Sequence, residues 1–302
     1  MADLLTNNIL TLMPSINECR LTLETGVPVS TTDQTGKTTV YLTPYTGNRL
    51  ALFNGTSWGL YSLAADKSLA LGTLTSGKNY DVFAYDSSGT VTLELSAAWT
   101  NDTTRADALT TQDGILVKSG ALTRRYLGTL RTTSTTTTED SGGYTGTTQV
   151  GAKRFLWNYS NRVRRPLFVK DTTNTWSYTT NTVRVANGAT APLNCVEYVT
   201  GDASLTVQAA FYALVGLSGN SARGARTGIG LDSSTTISGF SVESYVTSAT
   251  PINAASVNTY GGSPGLGYHF LSMLEAGSDG TCVFIGDNAG TCQSGLTAFI
   301  EG

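Results

Sequence analysis

Arg49-Leu50-Ala51-Leu52-Phe53-Asn54-Gly55-Thr56-Ser57-Trp58-Gly59-Leu60-Tyr61 is the stretch that decides the fold class. An apolar run meets Asn-Gly and returns through a second run with aromatic residues. Asn-Gly in that setting is the strongest short-range mark of a β-hairpin, because both turn positions tolerate positive φ. The same grammar recurs downstream. Asp81-Val82-Phe83-Ala84-Tyr85 turns at Asp86-Ser87-Ser88-Gly89, and Val91, Leu93 and Leu95 then alternate with Thr92 and Glu94. Ile115-Leu116-Val117-Lys118 turns at Ser119-Gly120 and returns from Leu122 to Leu130. Hairpins at this spacing predict an all-β chain of sandwich or barrel type.

Composition agrees. Charged residues are 14% of the 302, against roughly 25% in an average globular chain, while hydrophobic residues reach 40%. The polar surface must therefore be built from Thr, Ser, Asn and Gly. Tyr, at 14, outnumbers Phe and Trp, and 33 Gly supply turns. A net charge of −3 offers no general attraction to nucleic acid or to an anionic membrane. No run approaches the roughly 20 apolar residues of a membrane span. Met1 to Leu12 has no basic n-region and is followed by Pro14, so no secretory signal is read there. The expected compartment of synthesis is a cytoplasm.

Regular structure is less uniform at three places. Leu4, Leu5, Ile9 and Leu12 share one helical face, so residues 2–13 suit a short helix within an N-terminal docking segment, residues 1–19. Ala97 to Leu109 has room for another. Thr132 to Gly151 has little to bury and reads as a long loop or exposed edge. Asn187-Gly188 and Pro192 interrupt the strand pattern and divide a β-rich module, 20–188, from a C-terminal domain, 189–302. The last run, Gly295 to Gly302, reads as a strand built into a sheet.

Chemistry is sparse. His269 is the sole histidine, and Cys19, Cys195, Cys282 and Cys292 form no CxxC pair, so neither a zinc site nor a cofactor is expected. Free thiols are the default in a reducing compartment. Cys282 and Cys292 flank the turn at Asp287-Asn288-Ala289-Gly290 and are the one candidate disulfide, opposed by the geometric limits on such bridges. Any Ser-His or Cys-His mechanism would pass through His269, which lies in an alternating strand and reads as structural. Arg223 to Gly230 lacks the phosphate-loop pattern and reads as a mobile loop. Asp81, Asp86, Glu94, Asp102, Asp107, Asp113, Glu139 and Asp140 are carboxylates that nothing in the sequence pairs. No catalytic, cofactor-binding or metal residue is assigned, and the chain is not expected to be an enzyme. Lys153, Arg154, Arg162, Arg164 and Arg165 interleave with Phe155, Trp157 and Tyr159. That mixture suits a nucleic-acid or glycan platform, but arginines paired with acids or stacked on aromatics are the favoured reading.

Several longer stretches carry a resemblance. They are Val40-Tyr41-Leu42-Thr43-Pro44-Tyr45 with Gly47-Asn48-Arg49; Gly77 through Tyr85; Leu93-Glu94-Leu95-Ser96; Asp113-Gly114 through Val117-Lys118-Ser119-Gly120; Arg124-Arg125-Tyr126-Leu127-Gly128-Thr129; and Phe155 through Tyr159 with Asn161-Arg162-Val163. Together, from about Arg20 to Val185, they resemble a module of structural proteins in tailed bacteriophages. Gly267 to Gly302 more weakly looks like the jelly-roll ends of phage fibre and appendage proteins, which are often trimeric. The resemblance implies a virion component with no catalytic residues: a tail, neck or head fibre or appendage. Its N-terminal part would dock on other virion proteins, and its C-terminal domain would contact host-surface glycan. A capsid decoration protein clamping the head shell is the alternative, and a polysaccharide depolymerase stands third.

Overall fold

The computed structural model describes residues 13–142, 151–190, 193–218, 223–247, 250–278, 281–288 and 292–302. The helix expected over residues 2–13 lies outside these except for Met13, which opens a 3-10 turn, Met13–Ser15. The described residues are otherwise built from strands, with one further 3-10 turn at Ala186–Gly188. The chain is all-β, in two sandwiches.

The first sandwich sets a three-stranded sheet, Cys19–Thr22, Thr39–Pro44 and Lys67–Ala70, and the hairpin Arg49–Phe53/Trp58–Ser62 against a larger sheet. That sheet runs Thr90–Leu95, Asn79–Ser87, Ala121–Arg131, Ile115–Lys118, Leu109–Gln112, with Leu156–Asn158 also on Ala121–Arg131. Alternate residues from both faces make the core: Leu21, Val40, Leu42, Leu50, Leu52, Val82, Ala84 and Leu130 are all within it. The three expected hairpins form. At Asn54-Gly55 the loop has four residues, since Phe53 pairs with Trp58 and only Gly55 takes positive φ, at 102°. Asn54 closes the loop with its side chain, Oδ1 accepting from the Thr56 and Ser57 amides at 2.9 Å each. Two positive φ values occur in the next turn, Ser88 at 51° and Gly89 at 85° between paired Ser87 and Thr90, and again at Asp113, 50°, and Gly114, 81°, between paired Gln112 and Ile115.

Two expectations fail here. Residues 97–108 form no helix, because their backbone groups bond at a distance. Trp99 N donates to Asn79 O at 2.9 Å, and Asp102 O accepts from Tyr268 N at 2.9 Å and from Asn79 Nδ2 at 2.8 Å. Thr138–Ser141, expected as loop or exposed edge, is a strand paired on both sides, between Gln34–Lys37 and Ala152–Arg154, with Thr138, Asp140 and Ser141 buried. Its buried side is made of polar groups, which hydrophobic patterning does not register.

The second sandwich is a jelly roll. Arg164–Lys170, Gly295–Glu301, Val207–Ser218 and Ile252–Gly262 form one four-stranded face. Cys195–Thr200, Gly267–Ser278, Arg223–Leu231 and Val242–Val246 form the other. Followed along the chain, these eight strands pass between the sheets in the two-Greek-key order of that architecture. Val207, Phe211, Leu296 and Ile300 meet Val196, Tyr198, Ile229, Leu271 and Met273 between them. Ladders cross the expected division at 188: Arg164–Lys170, Thr175–Ser177 and Arg184–Val185 all pair with strands of the C-terminal stretch.

The Gly-rich segment expected to be a mobile loop is the strand Arg223–Leu231, inside the second sheet, with Arg223 fully buried. Its glycines serve close approach. A Cβ on Gly230 would stand 2.4 Å from Ser233 O, and one on Gly228 2.6 Å from Ile237 Cγ2. Gly230→Ala should therefore cost about 1–3 kcal/mol as overpacking. The urea midpoint would report it, and a variant as stable as the parent would contradict the account.

Candidate functional site: the outward faces of the jelly roll

The sheet formed by Arg164–Lys170, Gly295–Glu301, Val207–Ser218 and Ile252–Gly262 turns its second face outward. Val207, Ala209, Phe211, Ala213, Val215 and Leu217 point to the cores, so Gln208, Ala210, Tyr212, Leu214 and Gly216 point away. Beside them stand Ala255, Val257 and Thr259 on one side and Thr297 and Phe299 on the other. The strands Val207–Ser218 and Ile252–Gly262 carry no charged residue over their whole lengths. Tyr212 and Val257 are each 50% exposed, and Phe299 and Ile252 each 37%. Nearby, Phe240 is 81% and Tyr245 58% exposed. A groove of about 410 Å³ crosses the face between Arg164, Gln208, Tyr212, Thr259 and Phe299. Arg164 lies over the Phe299 ring, 4.1 Å from its centre. Among the described residues the strand Ile252–Gly262 is also a sheet edge, its one backbone ladder being with Val207–Ser218.

The basic and aromatic stretch resolves into pairs and stacks. Lys153 meets Glu139 at 3.1 Å, Arg154 meets Asp140 at 3.1 Å, and Arg162 meets Asp202 at 2.8 Å. Arg162 also covers the Trp157 ring at 4.7 Å. Phe155 and Trp157 are buried. Sequence reasoning missed Arg20, which is 3% exposed and sits with Arg154 and Arg165 around Asp140. Its guanidinium donates to the carbonyls of Pro28, Asn161 and Gly302. An arginine inside the short strand Cys19–Thr22, where all four residues are buried, was the available signal.

His269 is 3% exposed and held by Asp232, whose Oδ2 lies 2.7 Å from Nδ1. Among the described residues its Nε2 has no hydrogen-bond partner, and its ring packs on Tyr198. Two carboxylates are pushed upward, first of all by burial. Asp81 rises to about 6 against the pull of Arg105 at 2.9 Å and the Thr129 hydroxyl at 2.7 Å. Glu275 rises to about 7 despite Trp176 Nε1 at 2.7 Å and Arg184 at 2.9 Å. The void beside Glu275 holds about 10 Å³, less than one sugar needs. Cys19 and Cys195 are buried thiols, raised to about 12 and about 11 chiefly by desolvation. Cys282 lies with its Sγ 3.1 Å from Gly224 O, while the Cys292 side chain falls outside the described residues, as does any bridge to it. Among the described residues no helix is long and apolar enough to cross a membrane.

No family model matches the chain, and no curated protein matches it. Solved structures similar to it include the insecticidal delta-endotoxin Cry8Ea1 from Bacillus thuringiensis, at 8% identity over 98% of this chain and 55% of the toxin chain, TM-score 0.24. Infectious bursal disease virus, Gx strain, is similar at 13% identity over 91% of this chain and 79% of the viral one, TM-score 0.24. The chain thus spans about half the length of the toxin chain. Likeness at these TM-scores assigns neither fold nor function.

Glu275 yields a pH prediction. Its folded value of about 7 lies above the ordinary 4.5, so the folded state holds the proton more tightly than the unfolded one. That contribution is complete below about pH 4.5 and is lost as the pH rises through about 7. Glu275→Gln should flatten the fall in unfolding midpoint across that window. An undiminished slope in the variant would rule out Glu275 as its source.

Proposed function

We propose that this chain is a non-enzymatic structural component of a tailed bacteriophage particle, a fibre or appendage of tail, neck or head. Its N-terminal part docks on other virion proteins, and its jelly-roll half makes the outward contacts, host-surface glycan among them. The observation that carries the reading is the pair of uncharged strands on the outward sheet, Val207–Ser218 and Ile252–Gly262, the second of them an edge strand. Durable subunit interfaces are apolar at their centres and depleted in charge, and long uncharged edges are normally paired or covered. Jelly rolls recur in viral capsid and lectin domains. The stretches of the first sandwich that resemble phage structural modules support the same reading.

The occupant of the face is another copy of the chain, with a trimer as the favoured assembly. The four strands, of 7, 7, 12 and 11 residues and about 4.8 Å apart, present about 600 Å², somewhat below the roughly 800 Å² per partner of a standard interface. Val207–Ser218 and Ile252–Gly262 bring no ion to a matching copy, and Arg164 at the end of the groove keeps its stack on Phe299.

Light scattering tests this. The expected mass is three times 31.7 kDa. Placing lysines at Tyr212 and Val257, both half exposed, should return a folded monomer with its β-sheet circular dichroism intact. A wild-type monomer would argue instead for a decoration protein that assembles only on its shell. An oligomer indifferent to both lysines would move the interface elsewhere.

A further inference from the structure

A second groove, of about 510 Å³, opens between residues 29–33 and the strand Arg164–Lys170. Ser30, Thr31 and Thr32 form one wall, and Arg154, Arg164 and Arg165 the other. Positive charge is in excess here. Arg154 and Arg165 share the single carboxylate of Asp140, at 3.1 and 3.5 Å, and Arg20 behind them spends its donors on carbonyl oxygens. Arg154 is 8% exposed and lines the groove, and among the described residues its Nε has no hydrogen-bond partner. Arg164 stands opposite Glu301 in the ladder but lies over the Phe299 ring. Asp33, at the rim, has one oxygen committed to the Gly142 amide at 2.6 Å. Residues 143–150, which follow Gly142, include no charged side chain and so bring no counter-charge.

Three guanidinium groups, those of Arg20, Arg154 and Arg165, held around one carboxylate are costly, and the cost falls when a second oxyanion enters. Guanidinium forks suit carboxylate and phosphate alike. Hydroxyls across a groove from them suit the ring oxygens of a sugar. We propose that this groove binds the oxyanion of an acidic saccharide, a carboxylate or phosphate group facing Arg164 and Arg165 with the sugar against Ser30, Thr31 and Thr32. That such a saccharide belongs to a bacterial surface polymer rests on the virion reading; the oxyanion site does not.

Titration calorimetry on the full chain, at fixed ionic strength, tests the site with glucuronate, glucose 6-phosphate, inorganic phosphate and glucose. At least one of the two sugar anions should bind and glucose should not, the stronger anion distinguishing a carboxylate from a phosphate ligand. Arg164→Gln, a change at an exposed position, should weaken binding about tenfold or more, the scale of one charge-assisted hydrogen bond. Thr31→Ala should weaken the sugar anions and leave inorganic phosphate unchanged. No anion binding, or unaltered binding in Arg164→Gln, overturns the site. Binding of inorganic phosphate alone overturns the saccharide assignment. The oligomeric mass of the same sample reports separately on the virion reading, which either result leaves standing.

Discussion

Trp157 stands where the two sandwiches have to agree. Its strand, Leu156–Asn158, belongs to the first sandwich through Ala121–Arg131, yet its indole Nε1 donates to Glu301 O, 2.9 Å away in the last strand of the jelly roll. Trp157 packs with Phe83, Tyr126 and Val199, drawn from both halves. Asn158, the next residue, stands in for a missing strand neighbour. Its side chain accepts from Leu21 N at 2.7 Å and donates to Leu21 O at 3.1 Å, tying the three-stranded sheet to the larger one. Gly128 is fixed by the same requirement, for a Cβ there would lie 2.1 Å from Trp157 O. Buried amide groups must find partners, and here one short strand provides them on several sides.

Ions follow a related economy. The few charged side chains are used largely inside the fold. Arg125, 4% exposed, donates to the carbonyls of Pro14, Ile16 and Ala51 at 2.7 to 3.0 Å, closing the start of the described chain over the first core. Arg105 bonds Asp81 and reaches across to Gly201 O at 2.9 Å. Such groups act as directional ties whose geometry admits few alternatives. Their use there leaves two long strands of the jelly roll, Val207–Ser218 and Ile252–Gly262, without charge, which is why low overall charge coexists with a dense internal network.

Local patterning made the hairpins legible. Leu50, Leu52, Val82, Ala84, Val91 and Leu93 alternate because one face of each strand is solvent-facing or packed differently from the other. The pattern misled where packing, not periodicity, chose the residue. Gly228 and Gly230 look like part of a flexible run, yet each excludes a Cβ because Ile237 or the Ser233 carbonyl lies against it. Thr138 and Asp140 look solvated but are buried by partners more than ten residues away. The outward face was legible only as a composition: the missing charge was visible in the totals, but its concentration on two adjacent strands required their pairing.

That concentration sets how the face responds to its surroundings. Contacts between ions weaken as dissolved salt screens them, whereas the strands Val207–Ser218 and Ile252–Gly262 carry no charge to screen. Apolar contact is strengthened by excluded salts such as sulfate and weakened by cooling. The cohesion of anything packed on Val207–Ser218 and Ile252–Gly262 therefore follows temperature rather than ionic strength, so it should tolerate brackish and fresh water alike.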